Sequence, residues 1–222
     1  MSSICFKNVS KSFNKNPVLK SADFTIEKGE ICGFVGRNGS GKTVIFKLMT
    51  GLLLPDSGTV LINDENYSGR GSFFPSLGVM IETPGFIPHY SGLKNLKILN
   101  SMSVNPVPTE EICALMTRLG LDPKNKRGVR TYSLGMRQKL GIIQAVMNKP
   151  ELLVLDEPMN SLDTESVAEI RKLFTELNEQ GATIVLASHI ADDIDSLCTR
   201  KFRIENSTVA EITEVHDEIL VN

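Results

Sequence analysis

Gly36-Arg37-Asn38-Gly39-Ser40-Gly41-Lys42-Thr43 is the stretch that decides the fold. Its glycines let the backbone bend so that successive N–H groups turn inward, a concave donor surface suited to phosphate oxygens. Lys42 supplies a cation that reaches terminal phosphates, and the Thr43 hydroxyl can ligate Mg²⁺. The five apolar residues before it, Ile31-Cys32-Gly33-Phe34-Val35, have the length of a buried strand. The run 42–50, stopped by Gly51, reads as a helix whose positive N-terminal end would face the same phosphate. Strand, glycine loop and helix in that order separate this stretch from a chance glycine-rich turn.

Upstream, residues 4–28 alternate loosely around the turn signal Asn14-Lys15-Asn16-Pro17, as in an antiparallel sheet. Downstream, 58–63 and 77–81 read as strands. Between residues 91 and 149 the period becomes helical. Ile112, Leu115, Met116 and Leu119 mark one helix ended by Gly120; Met136, Leu140, Ile143 and Met147 mark another ended before Pro150. This segment, approximately 88–149, is expected to form a helical lobe, with its methionines in core packing. Leu152-Leu153-Val154-Leu155 is apolar throughout, as in a parallel sheet covered on both faces. A helix carrying Val167, Ile170, Leu173, Phe174 and Leu177 follows, then a strand over 183–187. The alternation predicts a doubly wound α/β core.

The strand at 152–155 runs into Asp156-Glu157-Pro158, two carboxylates at the end of a buried strand, where ligands sit in an open α/β sheet. Asp156 is suited to hold Mg²⁺ through its waters, and Glu157 to orient and deprotonate an attacking water. A phosphate loop alone leaves kinases, GTPases, helicases and transporters open. Further motifs narrow the choice.

Tyr132-Ser133-Leu134-Gly135-Met136-Arg137-Gln138 lies one helix ahead of the carboxylates. Asn160-Ser161-Leu162-Asp163 follows them, Ser188-His189 ends the next strand, and Phe13 precedes the phosphate loop. In this order the motifs resemble an ABC-type ATPase cassette over essentially the whole of 1–222, read as one domain. The resemblance implies a P-loop NTPase fold with a RecA-like doubly wound core, an antiparallel β subdomain and a helical subdomain. It implies ATP and Mg²⁺ as ligands, with Phe13 stacking on adenine and residues 36–43 cradling the phosphates. Two cassettes would pair head to tail, most simply as a homodimer, each ATP held between one phosphate loop and the other chain's Ser133 and Gly135. Lys42, Glu157 and His189 would serve hydrolysis, Asp163 would link the two sites, and Thr43, Asp156 and Glu82 would serve the metal.

The chain departs from the commonest family form in three places. Leu134 and Met136 replace a glycine and a glutamine of the signature, and Glu82 stands where a glutamine is usual, followed by Thr83-Pro84-Gly85-Phe86. The Ser-Leu-Gly-Met form resembles cassettes of bacterial peptide-antibiotic exporters, and the glutamate resembles lantibiotic-immunity cassettes. Glu82 is expected to add negative charge near Asp156 and Glu157 and to couple nucleotide state to a membrane partner. The resemblance therefore implies export of a peptide antibiotic through a separate membrane permease, with this subunit cytoplasmic and peripheral on the inner face of the membrane.

Bulk properties agree. The chain is 41% hydrophobic with a formal charge of −2, which disfavours a nucleic-acid partner, since phosphate backbones demand a basic surface. Lys124-Asn125-Lys126-Arg127 reads as a solvated loop. Cys5, Cys32, Cys113 and Cys198 form no metal-binding spacing, and Cys32 and Cys113 lie in apolar runs as expected of core thiols. No stretch approaches the roughly 20 apolar residues that span a bilayer. The alternatives are a soluble ABC-type ATPase acting on nucleic acid or ribosomes, disfavoured by charge, and a non-hydrolysing regulatory module, disfavoured by Glu157 and His189.

Overall fold

A computed structural model describes residues 2–66, 76–82 and 85–213; Met1, residues 67–75, Thr83, Pro84 and residues 214–222 of the expected cassette lie outside it. Strands β1 (Ser2–Phe13) and β2 (Asn16–Glu27) form a hairpin whose turn residues, Asn14 and Lys15, take φ of 50° and 68°. Two successive positive φ values match the right-handed twist of the flanking strands, and asparagine tolerates them better than most residues. β4 (Ser57–Ile62) pairs with the other edge of β1, and β5 (Glu65–Asn66) follows it, giving an antiparallel sheet of order β2-β1-β4-β5.

The second sheet contains β3 (Ile31–Val35), β6 (Leu77–Met80), β7 (Leu152–Asp156), β8 (Thr183–Ala187), β9 (Arg200–Glu205) and β10 (Thr208–Ile212) in the order β10-β9-β3-β8-β7-β6. Its neighbouring strands are parallel except the edge pair β9–β10, another hairpin through Asn206 and Ser207 at φ 50° and 65°. The helices are α1 (Lys42–Met49), α2 (Gly92–Ser101), α3 (Thr109–Arg118), α4 (Leu134–Val146), α5 (Thr164–Glu179) and α6 (Ala191–Leu197). None among the described residues is long and apolar enough to cross a membrane.

The central strands are buried on both faces. Ile31 and Val35 of β3, Leu153 and Leu155 of β7, and Ile184 and Leu186 of β8 join one apolar cluster, shared with Ile170 and Phe174 of α5. The alternate residues Cys32, Phe34, Leu152, Val154, Val185 and Ala187 join the other, shared with Phe46 of α1 and with β1 and β2. Phe34 stacks on Phe202 at 5.1 Å and meets Phe46 edge-on at 5.7 Å, while Phe24 bridges to Phe6 at 4.5 Å. Each buried phenylalanine contributes about 1.5–3 kcal/mol by leaving water, so this group fastens the antiparallel sheet to β3 and to the helix behind the glycine loop.

The helical segment joins the first cluster. Leu96 of α2, Ile112 and Met116 of α3 and Leu140 of α4 are fully buried beside the sheet residues. Met116 and Met147 are in the core as expected, whereas Met102 is 77% exposed. Cys113 also departs from expectation, being only half-buried, while Cys5 and Cys198 join Cys32 in the interior. Burial pushes the Cys198 thiol up to about 12, as suits an inert packing residue.

α4 lies on β6 so closely that a side chain at Gly78 has nowhere to go: a Cβ there would meet the Ala145 carbonyl oxygen at 2.1 Å. Gly78→Ala should therefore cost about 1–3 kcal/mol or slightly more, the range for overpacking. Urea unfolding checks this; an unchanged midpoint would mean that the α4–β6 contact yields freely.

Candidate active site

β3, β7 and β8 end side by side, and a cleft of about 470 Å³ opens at their carboxyl ends. One wall is the glycine loop. Gly39 and Gly41 take φ of 78° and 111°, and a Cβ on Gly36 would come within 2.6 Å of Ser40 Oγ, so these positions require glycine. No side chain caps α1, whose N-cap is Gly41. The first amides of an α-helix lack intrahelical acceptors, so uncapped they are available to an anion. Lys42 is buried beneath them and donates to the carbonyl oxygens of Gly36 at 2.6 Å and Arg37 at 3.3 Å. Burial lowers its pKa against the opposing pull of Glu157 and Asp156.

The opposite wall carries the carboxylates. Thr43 Oγ1 donates to Asp156 Oδ2 at 2.6 Å. These oxygens fit Mg²⁺, a hard cation that keeps several waters and takes few protein ligands. Among the described residues no group of three or more His, Cys, Asp or Glu side chains could hold a metal, so substrate oxygens and water would complete the shell.

Glu157 sits at φ 51°, a conformation costing about 1–3 kcal/mol for a non-glycine residue unless its surroundings hold it. The Glu157 N–H donates to the Ala187 carbonyl at 3.0 Å. Its Oε2 accepts from the His189 N–H at 3.2 Å and lies 2.8 Å from His189 Nδ1. The loop carrying His189 is itself anchored: buried Asp193 accepts from Ser188 Oγ at 3.0 Å and from Arg171 of α5 at 2.5 Å. A carboxylate fixed by an imidazole beside a phosphate cradle can orient a water and take its proton.

Glu82 also lines the cleft and also takes a positive φ, 59°. Its charge is paired, because Lys47 of α1 donates to its Oε1 at 2.7 Å, which offsets the negative charge that Glu82 was expected to add near Asp156 and Glu157. Lys47, one turn beyond the glycine loop, carried no signal of this pairing.

The remaining expected residues stand elsewhere. Ser133 is exposed and N-caps α4, accepting from the Met136 N–H at 3.2 Å; Asp163 N-caps α5, accepting from the Ser166 N–H at 2.8 Å. Neither they nor Gly135 line the cleft, although Leu134 does. Phe13 is 44% exposed at the end of β1, outside the cleft lining, with Lys11 Nζ 5.7 Å from its ring centre. Gln138, Asn160 and Ser161 line the cleft without having been assigned a role from sequence. Their polar side chains on apolar-patterned or loop segments give no hint of which backbone atoms they meet.

The family model for ABC transporters matches residues 19–160. An uncharacterised ABC transporter ATP-binding protein, YybJ of Bacillus subtilis (strain 168), is 39% identical over 191 residues, covering 86% of this chain and 87% of that protein. The lantibiotic transport ATP-binding protein SrtF of Streptococcus pyogenes is 35% identical over 191 residues, covering 86% and 82%. The bacitracin transport ATP-binding protein BcrA of Enterococcus faecalis is 37% identical over 193 residues, but this chain covers only 62% of that protein's length. The solved ATP-binding subunit of an ABC transporter has a TM-score of 0.86 at 25% identity, covering 96% of this chain and 90% of that one. A dimeric cassette in a post-hydrolysis state with ADP and Pi has the same TM-score at 21% identity over 95% and 98%, a likeness of fold. The chain therefore belongs to the ABC transporter family as one of its ATP-binding subunits.

Proposed function

We propose that this subunit hydrolyses ATP with Mg²⁺ to power a separate membrane permease that exports a peptide antibiotic, working as a homodimer on the inner face of the membrane. The whole chain is read as one ATPase domain. The observation that carries hydrolysis is the Glu157–His189 pair, 2.8 Å apart at the edge of the cleft. The substrate class rests on the similarity to bacitracin and lantibiotic transport proteins, together with Glu82 and the Ser133-Leu134-Gly135-Met136 signature.

In this reading the amides of α1 and the Lys42 ammonium bind the terminal phosphates, and Thr43 and Asp156 hold the metal, which neutralises phosphate charge when bound. Glu157 accepts the proton of the attacking water while His189 keeps its carboxylate in place. Ser133 and Gly135, which do not line their own chain's cleft, bind the phosphate of the partner's site at the N-terminus of α4. Phe13 stacks on adenine outside the phosphate cleft, and Asp163, on the loop beyond Glu157, joins the two sites.

Glu157→Gln removes the proton acceptor and keeps the shape. It should retain ATP binding while slowing hydrolysis by about 10²–10⁴-fold, the usual worth of general acid–base catalysis; steady-state phosphate release measures this, and an unchanged rate removes Glu157 from the chemistry. Sharing of sites has its own test. Ser133→Arg and Lys42→Ala chains should each be inactive alone, and mixing them should restore partial activity, since one composite site then has both halves intact. No recovery on mixing would count against the head-to-tail arrangement.

Glu82 is proposed as the coupling residue. Its ion pair with Lys47 is exposed, 63% on the Glu82 side, and such pairs are worth about 0–1 kcal/mol, so the carboxylate can change partner easily. Glu82→Ala should spare ATP binding and most basal hydrolysis while strongly reducing transport in cells, and Glu82→Gln should be milder. Equal loss of ATPase and transport in Glu82→Ala would place the residue in the catalytic site instead.

A further inference from the structure

Gln138 joins α4, the helix capped by Ser133, to the loop that follows Glu157. Its side chain lines the cleft, and its Nε2 donates to the carbonyl oxygens of Glu157 at 2.7 Å and Pro158 at 3.0 Å. An amide nitrogen has two hydrogens, one for each carbonyl, and the flipped amide would set an oxygen against two oxygens, so the orientation is dictated by its partners. The Glu157 carbonyl also accepts from the Asn160 N–H at 3.3 Å, so both of its lone pairs are used.

The same helix begins at Ser133. Its first turn rests on the loop after Glu157: a Cβ on Gly135 would lie 3.1 Å from the Ser161 carbonyl oxygen. Glu157 and Ser161 both hold positive φ, 51° and 63°, so this loop is strained and depends on external bonds to keep its shape. A helix turn is stiff, so a displacement of the Ser133 end reaches Gln138 within a little over one turn, and from there the Glu157 backbone.

We infer that Gln138 is a positioning residue that makes the setting of each Glu157 depend on nucleotide occupancy at the other site of the dimer. This rests on the proposed head-to-tail dimer, in which Ser133 meets the partner's ATP while Glu157 of the same chain serves its own. When phosphate docks on Ser133 and Gly135, α4 is fixed, and Gln138 then holds the strained Glu157 peptide in the geometry that aims its carboxylate. With the partner's site empty, α4 is less constrained and the glutamate is set less well. Positive cooperativity in hydrolysis follows without any change in the affinity of the isolated phosphate cradle.

The test uses the full chain with Gln138→Glu, which keeps the shape but faces two carbonyls with a carboxylate, and Gln138→Met, which keeps the packing without a donor. Nucleotide binding by the monomer is followed with a fluorescent ATP analogue, and hydrolysis is measured across ATP concentrations. Both variants should bind the analogue within twofold of the parent, which also verifies folding. Their kcat should fall roughly tenfold, as for loss of a backbone-positioning hydrogen bond, and their Hill coefficient should drop to 1 from a parental value above 1. A lowered kcat with the parental Hill coefficient would overturn the inference and make Gln138 a local support only, as would no change in either. A parental Hill coefficient of 1, with no recovery on mixing Ser133→Arg and Lys42→Ala chains, would instead sink the dimer on which the inference rests. Parental cooperativity kept in both variants sinks the role of Gln138 alone.

Discussion

The cleft exists because β3, β7 and β8 are apolar on both faces and must be covered on both. Covering a parallel sheet that way requires each strand to be followed by a crossover, and every crossover leaves from the same edge. Gly36, Asp156 and Ser188, each directly following or ending one of these strands, are thereby brought to one line of backbone ends. Leu153 and Val185 are buried in the core, yet burial of such residues aligns the groups that line the cleft. The aromatic group around Phe34 adds the second restraint, since Phe46 locks the helix behind the glycine loop to the strand before it.

On this frame the polar groups are held by a small number of strong bonds. Lys42 is buried on backbone carbonyls, and Glu157 is kept in a costly backbone conformation by contacts from three directions: Ala187 on β8, His189 beyond it, and Gln138 on α4. None of these partners is adjacent to Glu157 in sequence. The buried Asp193 between Ser188 and Arg171 extends the same logic, tying the histidine loop to α5, whose N-cap is Asp163. Removing one partner of such a buried charge pair leaves the other unpaired, which makes the arrangement rigid as well as costly to disturb.

The helical segment is coupled to this frame through apolar packing and through Gln138. Leu96, Ile112 and Leu140 share a cluster with Leu155 and Ile184, and α4 sits on β6 at a glycine. Glu82, at the end of β6 and paired with Lys47 on α1, stands at the same join from the other side.

Sequence alone determined the strands of the core, the glycine loop and its helix, the paired carboxylates and the terminal histidine. Each of these is written in local chemistry: continuous apolar runs of strand length, glycines at positions of positive φ, and charged residues abutting apolar ends. It did not reveal β9 and β10, because Arg200, Lys201 and Arg203 mask a strand in which only Phe202 and Ile204 are buried. It misread Cys113, placed in an apolar run but on a half-covered face of α3, and it carried no sign of the Lys47 partner of Glu82, 35 residues away. Only the tertiary structure decided that Lys47 neutralises Glu82 and that Gln138 grips the Glu157 backbone. The physical reason is the same in each case. A hydrogen bond needs its two atoms within about 3 Å, and that proximity is set by how helices pack on the sheet, which no periodicity or local spacing encodes.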